Sequence, residues 1–164
     1  MTCILGIDPG KSGAFAIICL DTQDRVIVED MPLVGGEINA HDFAATLQEY
    51  KPGLAMIESV ASMPKQGVRS TFNFGVSYGM VRGVIAALNI PLAFVSPAKW
   101  KRAYGLSADK EESRKRAIHA FPWNAELFKR KKDHGRAEAA LIALYCLHRK
   151  VERESHYASM KAEA

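Results

Sequence analysis

The chain has 164 residues, of which 48% are hydrophobic and 24% charged, with a net charge of +4. That length suits one compact domain with a real core and leaves little for a second, and the composition excludes wholesale disorder. No apolar run reaches the roughly 20 residues that span a bilayer. Asp8 comes too early for a secretory leader, so the expected compartment is the cytoplasm. Three cysteines, at 3, 19 and 146, are odd in number, far apart and set in apolar segments. They predict buried thiols in a reducing compartment, not a disulfide or a zinc site. Positive charge gathers between 99 and 136, in "KWKRAYG", "KEESRKR" and "FKRKKDHGR", a mild pointer to a polyanionic partner.

Residues 3–8, 14–20 and 25–31 read as three strands divided by "PGKSG" and "DTQD", connections short enough for an antiparallel meander. "NAHDFAATLQEY" has helical spacing, with Asn39 as N-cap and Phe43, Leu47 and Tyr50 on one face. "LAMIES" is a buried strand ending in Glu58, and "VASMPKQGVRS" a loop. A long helix follows from about 70 to 88, then a strand at 92–96, then a short helix opened by Ser96-Pro97. "SADKEESRKRAIHAF" is a charged helix with Ser107 as capping candidate. Ala137, Leu141, Leu144 and Leu147 mark a last helix over about 134–149, and the polar tail after 150 is expected to fray. This order predicts one domain over 1–150, an α/β fold with a mixed sheet and helices on both faces.

Two strands end in acids, Asp8 and Glu58, and Glu138 lies in the first turns of the last helix. Ligands collect at the carboxyl ends of strands in open sheets. His134 and Glu138 share a helix face if the helix already includes His134, whereas Asp133 reaches the same place only from the entering chain. Several carboxylates without cysteine favour Mg²⁺ or Mn²⁺ over zinc. Two such ions about 4 Å apart clamp the attacking and leaving oxygens in phosphodiester hydrolysis. Each acid also has a plainer reading. Asp8-Pro9-Gly10 suits a turn, Glu58 a loop acid paired with Lys65 or Arg69, and Glu138 a surface or dipole acid.

"GIDPGKSGAFAI", "VASMPKQGVRSTFNFGVSYGMVRGVIAAL", "MIES", "VSPAKWKRAYGL" and "DHGRAEAALIALY" together resemble the RuvC family of Holliday-junction resolvases, its phage and plasmid branch most of all. The similarity covers roughly residues 3–149. It implies a ribonuclease-H-like fold with a five-stranded sheet, a homodimer, four-way junction DNA as substrate, and two symmetric Mg²⁺-dependent nicks leaving ligatable ends. By the resemblance Asp8, Glu58 and Glu138 are catalytic metal ligands. The family usually has another acid or a histidine three residues before the last of these, where this chain has Gly135. Asp133 or His134 is then the fourth ligand.

Phosphate neutralisation calls for basic residues around the acids. Lys11, Lys65, Arg69, Lys99, Lys101, Arg102, Lys131, Lys132 and Arg136 are the candidates. Phe72 and Phe74 are core residues or, as the resemblance suggests, one stacks on an unpaired base at the crossover. Gly75, Gly79 and Gly83 recur every four residues on one helix, which suggests either tight packing on the sheet or a dimer seam.

Three rival readings remain. A nucleotide-binding domain of the actin and sugar-kinase type shares a glycine-flanked acid after the first strand, but it needs a second lobe for which 164 residues leave no room. No nucleotide cofactor and no membrane partner are therefore expected. A non-cleaving junction-binding protein of the same fold, and a nuclease acting on other branched DNA or RNA–DNA hybrids, also fit.

Overall fold

Strict alternation in the first two strands sets the layers. In β1 (Cys3–Asp8) and β2 (Ala14–Cys19), Ile4, Ala14, Ala16 and Ile18 join one apolar cluster, and Leu5, Ile7, Phe15 and Ile17 another. Strands buried on both faces belong in the middle of a sheet covered by helices on each side. The computed structural model describes residues 3–22, 26–60 and 67–162 and has that architecture.

The sheet has five strands in the order β3-β2-β1-β6-β7, where β3 is Ile27–Asp30, β6 Leu54–Glu58 and β7 Leu92–Val95. The first three strands form the expected antiparallel meander, and β1, β6 and β7 run parallel. Between β3 and β6 lie a two-stranded hairpin, β4 (Leu33–Val34) and β5 (Glu37–Ile38), and helix α1 (Ala40–Tyr50). The hairpin is too short for alternation to reveal. Its turn is Gly35-Gly36, with φ of 58° and 78°, values that glycine adopts without strain. Asn39 caps α1 as expected, its side chain accepting the His41 and Asp42 N–H groups.

Helix α2 (Val68–Ala87) starts slightly before the predicted position, and α3 (Pro97–Ala103) opens on its proline. Helix α4 (Lys110–Ala120) is capped by Asp109, not by Ser107. Asp109 accepts the Glu111 N–H, while the Ser107 hydroxyl accepts the Asp109 N–H one step earlier. Helix α5 (His134–Ala162) continues past 149, since no glycine or proline stops it and the residues after Leu147 are mostly good helix formers.

α1 and α2 cover one face of the sheet; α3, α4 and α5 cover the other. α5 lies hard against β1. A Cβ on Gly6 would fall 2.4 Å from the Ala139 carbonyl oxygen and 2.2 Å from the Ala143 nitrogen, so only glycine permits this contact. By contrast, a Cβ on Gly75, Gly79 or Gly83 of α2 would meet nothing within 4 Å. Tight packing of these glycines on the sheet is therefore ruled out: α2 buries Ser77, Val81 and Ile85 and turns the glycines outward.

The cysteine expectation is corrected. Cys3 and Cys19 face each other across the β1–β2 register and form a disulfide, while Cys146 is a free buried thiol. Sixteen residues of separation hid a pairing that only the strand register creates. The cysteines thus no longer argue for a reducing compartment. Among the described residues no helix is long and apolar enough to cross a membrane.

Candidate active site

β1 and β6 are parallel neighbours with Ile7 opposite Ile57, so their carboxyl ends bring Asp8 and Glu58 side by side. α5 crosses the same end and adds Glu138. Glu58 and Glu138 are 9% and 8% exposed, and Asp8 is partly buried. Burial, then the charges of Glu138 and Glu58, raise the Asp8 carboxyl well above its ordinary value. Burial raises Glu58 too; the Trp100 hydrogen bond opposes this and the Glu138 charge adds to it. Three carboxylates from three elements thus feel one another's charge in a poorly hydrated place.

Neighbouring groups engage two of them. Glu58 Oε1 accepts the Trp100 indole N–H at 2.7 Å. Glu138 Oε1 accepts from Lys101 Nζ at 2.8 Å and from the Ser113 hydroxyl at 3.4 Å. Lys110 acts electrostatically on Asp8, and its Nζ lies 3.4 Å from His134 Nε2. Burial, then the charge of Lys110, lowers the His134 pKa. The charged imidazolium is thereby disfavoured, and the ring Nδ1 is buried without a hydrogen-bond partner among the described residues.

Asp133 does not join this group. Its carboxylate is turned to Arg130, accepting that residue's backbone N–H at 2.8 Å and its guanidinium at 2.9 Å. Burial would raise this carboxyl, but the Arg130 hydrogen bonds hold it below its usual value. Of the two candidates for the fourth ligand, His134 is the one whose charge environment includes Glu138. At Gly135, three residues before Glu138, the space is tight: a Cβ there would lie 3.1 Å from Asp8 Oδ2 and 3.0 Å from the Ser12 carbonyl oxygen.

The basic candidates divide. Lys101 sits within the acid cluster, not on the outer surface. Arg136 forms a two-pronged pair with Asp30, at 2.7 and 2.6 Å, tying the start of α5 to the end of β3. Lys11 pairs with Glu37 of the hairpin at 2.6 Å. Arg69, Lys99, Arg102, Lys131 and Lys132 are exposed, and Lys65 lies outside the described residues. The two aromatics also divide. Phe72 is 69% exposed, whereas Phe74 stacks on Tyr78 and packs beside Gly10. Sequence reasoning missed Trp100 and Lys110 as members of the site. A tryptophan one helical turn after a strand end and a lysine at the start of a charged helix were the available signals.

Among the described residues, no group of three or more His, Cys, Asp or Glu side chains stands at metal-holding spacing. Two of the acids point at Trp100 and Lys101 instead. The donor chemistry nevertheless fits a hard divalent cation. Asp8, Glu58 and Glu138 offer oxygens whose mutual repulsion a cation relieves, and His134, whose charged form burial and Lys110 disfavour, offers a ring nitrogen.

No family model matches the sequence, and no curated protein is similar to it. Solved structures are similar in fold. A Thermus thermophilus RuvC superposes with TM-score 0.62 at 18% identity, over 87% of this chain and 92% of that one. T. thermophilus RuvC in complex with a Holliday junction substrate gives 0.59 at 19%, over 88% and 91%. The fowlpox virus Holliday junction resolvase gives 0.53 at 17%, over 90% and 98%. The five-stranded mixed sheet, flanked by helices on both faces, is thus the ribonuclease-H-like α/β fold of the RuvC resolvases.

Proposed function

We propose that this protein is a metal-dependent endodeoxyribonuclease that resolves four-way DNA junctions by paired symmetric nicks, acting as a homodimer. One observation carries the reading: Asp8, Glu58 and Glu138 converge from β1, β6 and α5 at the carboxyl end of a RuvC-like sheet. Residues 1–150 form the nuclease domain in this reading. Asp8, Glu58 and Glu138, with His134, would hold Mg²⁺ or Mn²⁺, two ions per site. Such ions supply a water of lowered pKa and a counter-charge for the departing 3′ oxygen. A water oxygen bonds to phosphorus, the P–O3′ bond breaks and the 3′ oxygen takes a proton. The ends are a 5′-phosphate and a 3′-hydroxyl, which a ligase can rejoin.

The surroundings suit a DNA strand. A cleft of about 780 Å³ runs from the β1–β2 turn to the first turns of α2. It is lined by Lys11, Ser12, Arg69, Ser70, Asn73 and Phe74, a mixture of cations, polar groups and one aromatic wall. Lys99 and Arg102 on α3, with Lys131 and Lys132 just before α5, offer phosphate contacts on the other side of the acids. The outward face of α2 presents Gly75, Val76, Gly79 and Gly83. An apolar, close-approach surface of that kind fits a two-fold seam.

The test is a synthetic four-way junction incubated with Mg²⁺ and with Mn²⁺, beside linear duplex and an RNA–DNA hybrid. Paired nicks on the junction are expected. Absence of nicking in both metals sinks the enzyme reading, and equal cutting of duplex or hybrid sinks junction selectivity. The ion pair between Lys101 and Glu138 favours a second reading, a junction-binding protein that does not cut. Tight junction binding without nicking in either metal would select it.

A further inference from the structure

Helix α3 has seven residues, yet it buries Trp100 completely. A buried indole N–H needs an acceptor. Trp100 finds neither a backbone carbonyl nor solvent but Glu58 Oε1, at 2.7 Å. The indole can only donate and does not titrate in the physiological range, so this bond holds whatever the protonation of its neighbours. Its donor is locked by core packing with Met56, Val95 and the α5 residues of the same cluster. β6 fixes the backbone of Glu58 and Trp100 fixes its head group. The bond occupies one of the two lone pairs of Oε1 and sets the plane of the carboxylate, so that Oε2, which accepts no hydrogen bond among the described residues, is the freer oxygen for a cation.

We propose that Trp100 is a positioning residue for the cation site: its indole N–H fixes the orientation of the Glu58 carboxylate. The inference rests on the reading of Glu58 as a metal ligand. The next residue of α3 handles the second acid, since Lys101 Nζ contacts Glu138 while lying 5.2 Å above the Trp100 ring. One helical turn therefore aligns both carboxylates. Groups that orient a ligand from behind generally affect metal affinity by about 10–100-fold.

Two measurements test it. Trp100→Phe keeps the aromatic bulk and removes the donor. Mn²⁺ binding to this variant, followed by the electron paramagnetic resonance signal of free Mn²⁺, should weaken by about 10–100-fold. The second needs no variant. The protein has only two tryptophans, Trp100 and the exposed Trp123, so ¹⁵N-indole spectra contain two signals. Mg²⁺ should move the Trp100 signal and leave Trp123 in place, and Glu58→Gln should abolish the movement. A folded Trp100→Phe with wild-type Mn²⁺ affinity overturns the proposal, as does a Trp100 signal unmoved at Mg²⁺ concentrations that displace Mn²⁺. If the variant does not fold, the indole titration decides alone. A protein that shows both effects but nicks no junction keeps Trp100 and loses the nuclease reading. One that nicks and shows neither does the reverse, and a protein that binds no Mn²⁺ loses both.

Discussion

Gly135 presses against Asp8: a β-carbon on it would lie 3.1 Å from Oδ2. The position where the resemblance leads one to expect a further ligand is thus crowded by the Asp8 carboxylate and the Ser12 carbonyl. Gly135→Ala should destabilise the protein by about 1–3 kcal/mol, the usual cost of overpacking, by thermal or denaturant unfolding. Gly135→Asp adds a fourth negative charge to the same crowding and should cost more, without raising nicking. Faster nicking by Gly135→Asp would mean that the fourth ligand belongs there after all.

Asp8 should make metal-free stability fall with rising pH. Its folded-state pKa is raised above the ordinary 3.8, so the folded chain binds this proton more tightly than the unfolded one. The stabilisation is complete below the ordinary value and is lost as pH climbs through the raised one. The metal-free melting temperature should therefore decline as pH rises through the raised value, and Mg²⁺ should restore it more above that window than below it. Asp8→Asn removes the charge. It should melt higher than wild type at pH 7 without metal, lose the Mg²⁺ response, and still bind junctions. Its nicking should drop by at least about 10²–10³-fold. Nicking at the wild-type rate would remove Asp8 from the site.

Phe72 and Phe74, two residues apart, should behave differently. Phe72 is 69% exposed, so Phe72→Ala should leave unfolding unchanged. If it stacks on a base, junction affinity should fall by about 1–3 kcal/mol, read by gel shift. Phe74→Ala removes a cleft wall resting against Gly10 and Tyr78, and should lower stability as well. Unaltered junction binding by Phe72→Ala would shift the stacking role elsewhere.

Gly79 offers a test of the dimer. No atom lies within 4 Å of its Cβ position, so Gly79→Arg is tolerated by the single chain. If α2 is the two-fold seam, sedimentation should show this variant as a monomer with native circular dichroism. A Gly79→Arg dimer would place the seam on another surface.

The Cys3–Cys19 disulfide closes a loop with a separation of 16 residues. Its loss should cost about 3 kcal/mol on the chain-entropy scale. Equal melting with and without reductant would show that the bridge does not contribute.

Much of the layout was legible because it follows from local patterns. Short apolar runs with short connections gave the meander, Asn39 announced α1, and Glu58 closed an apolar strand as predicted. What escaped depends on register and contact. Cys3 and Cys19 are opposite only once the strands pair. Asp133 looked equivalent to His134 until Arg130 was found to claim its carboxylate. Lys101 and Arg136 read as candidates for phosphate contacts because a sequence does not show that Glu138 and Asp30 wait for them. Trp100 was visible only as part of a short helix; its burial, and its indole nitrogen facing Glu58, required the packing of α3 beneath the sheet end.

The contact at Gly6 has a consequence for tolerance to change. Gly6 lies two residues before Asp8 and bears on the Ala139 carbonyl, next to Glu138. The interval between the first and last acids is therefore gauged main chain against main chain. Side chains elsewhere in the core can be exchanged, or can hop between rotamers, while that interval stays constant. A family could drift far in sequence around such a gauge and still keep its carboxylates in register, provided the one residue without a side chain never acquires one.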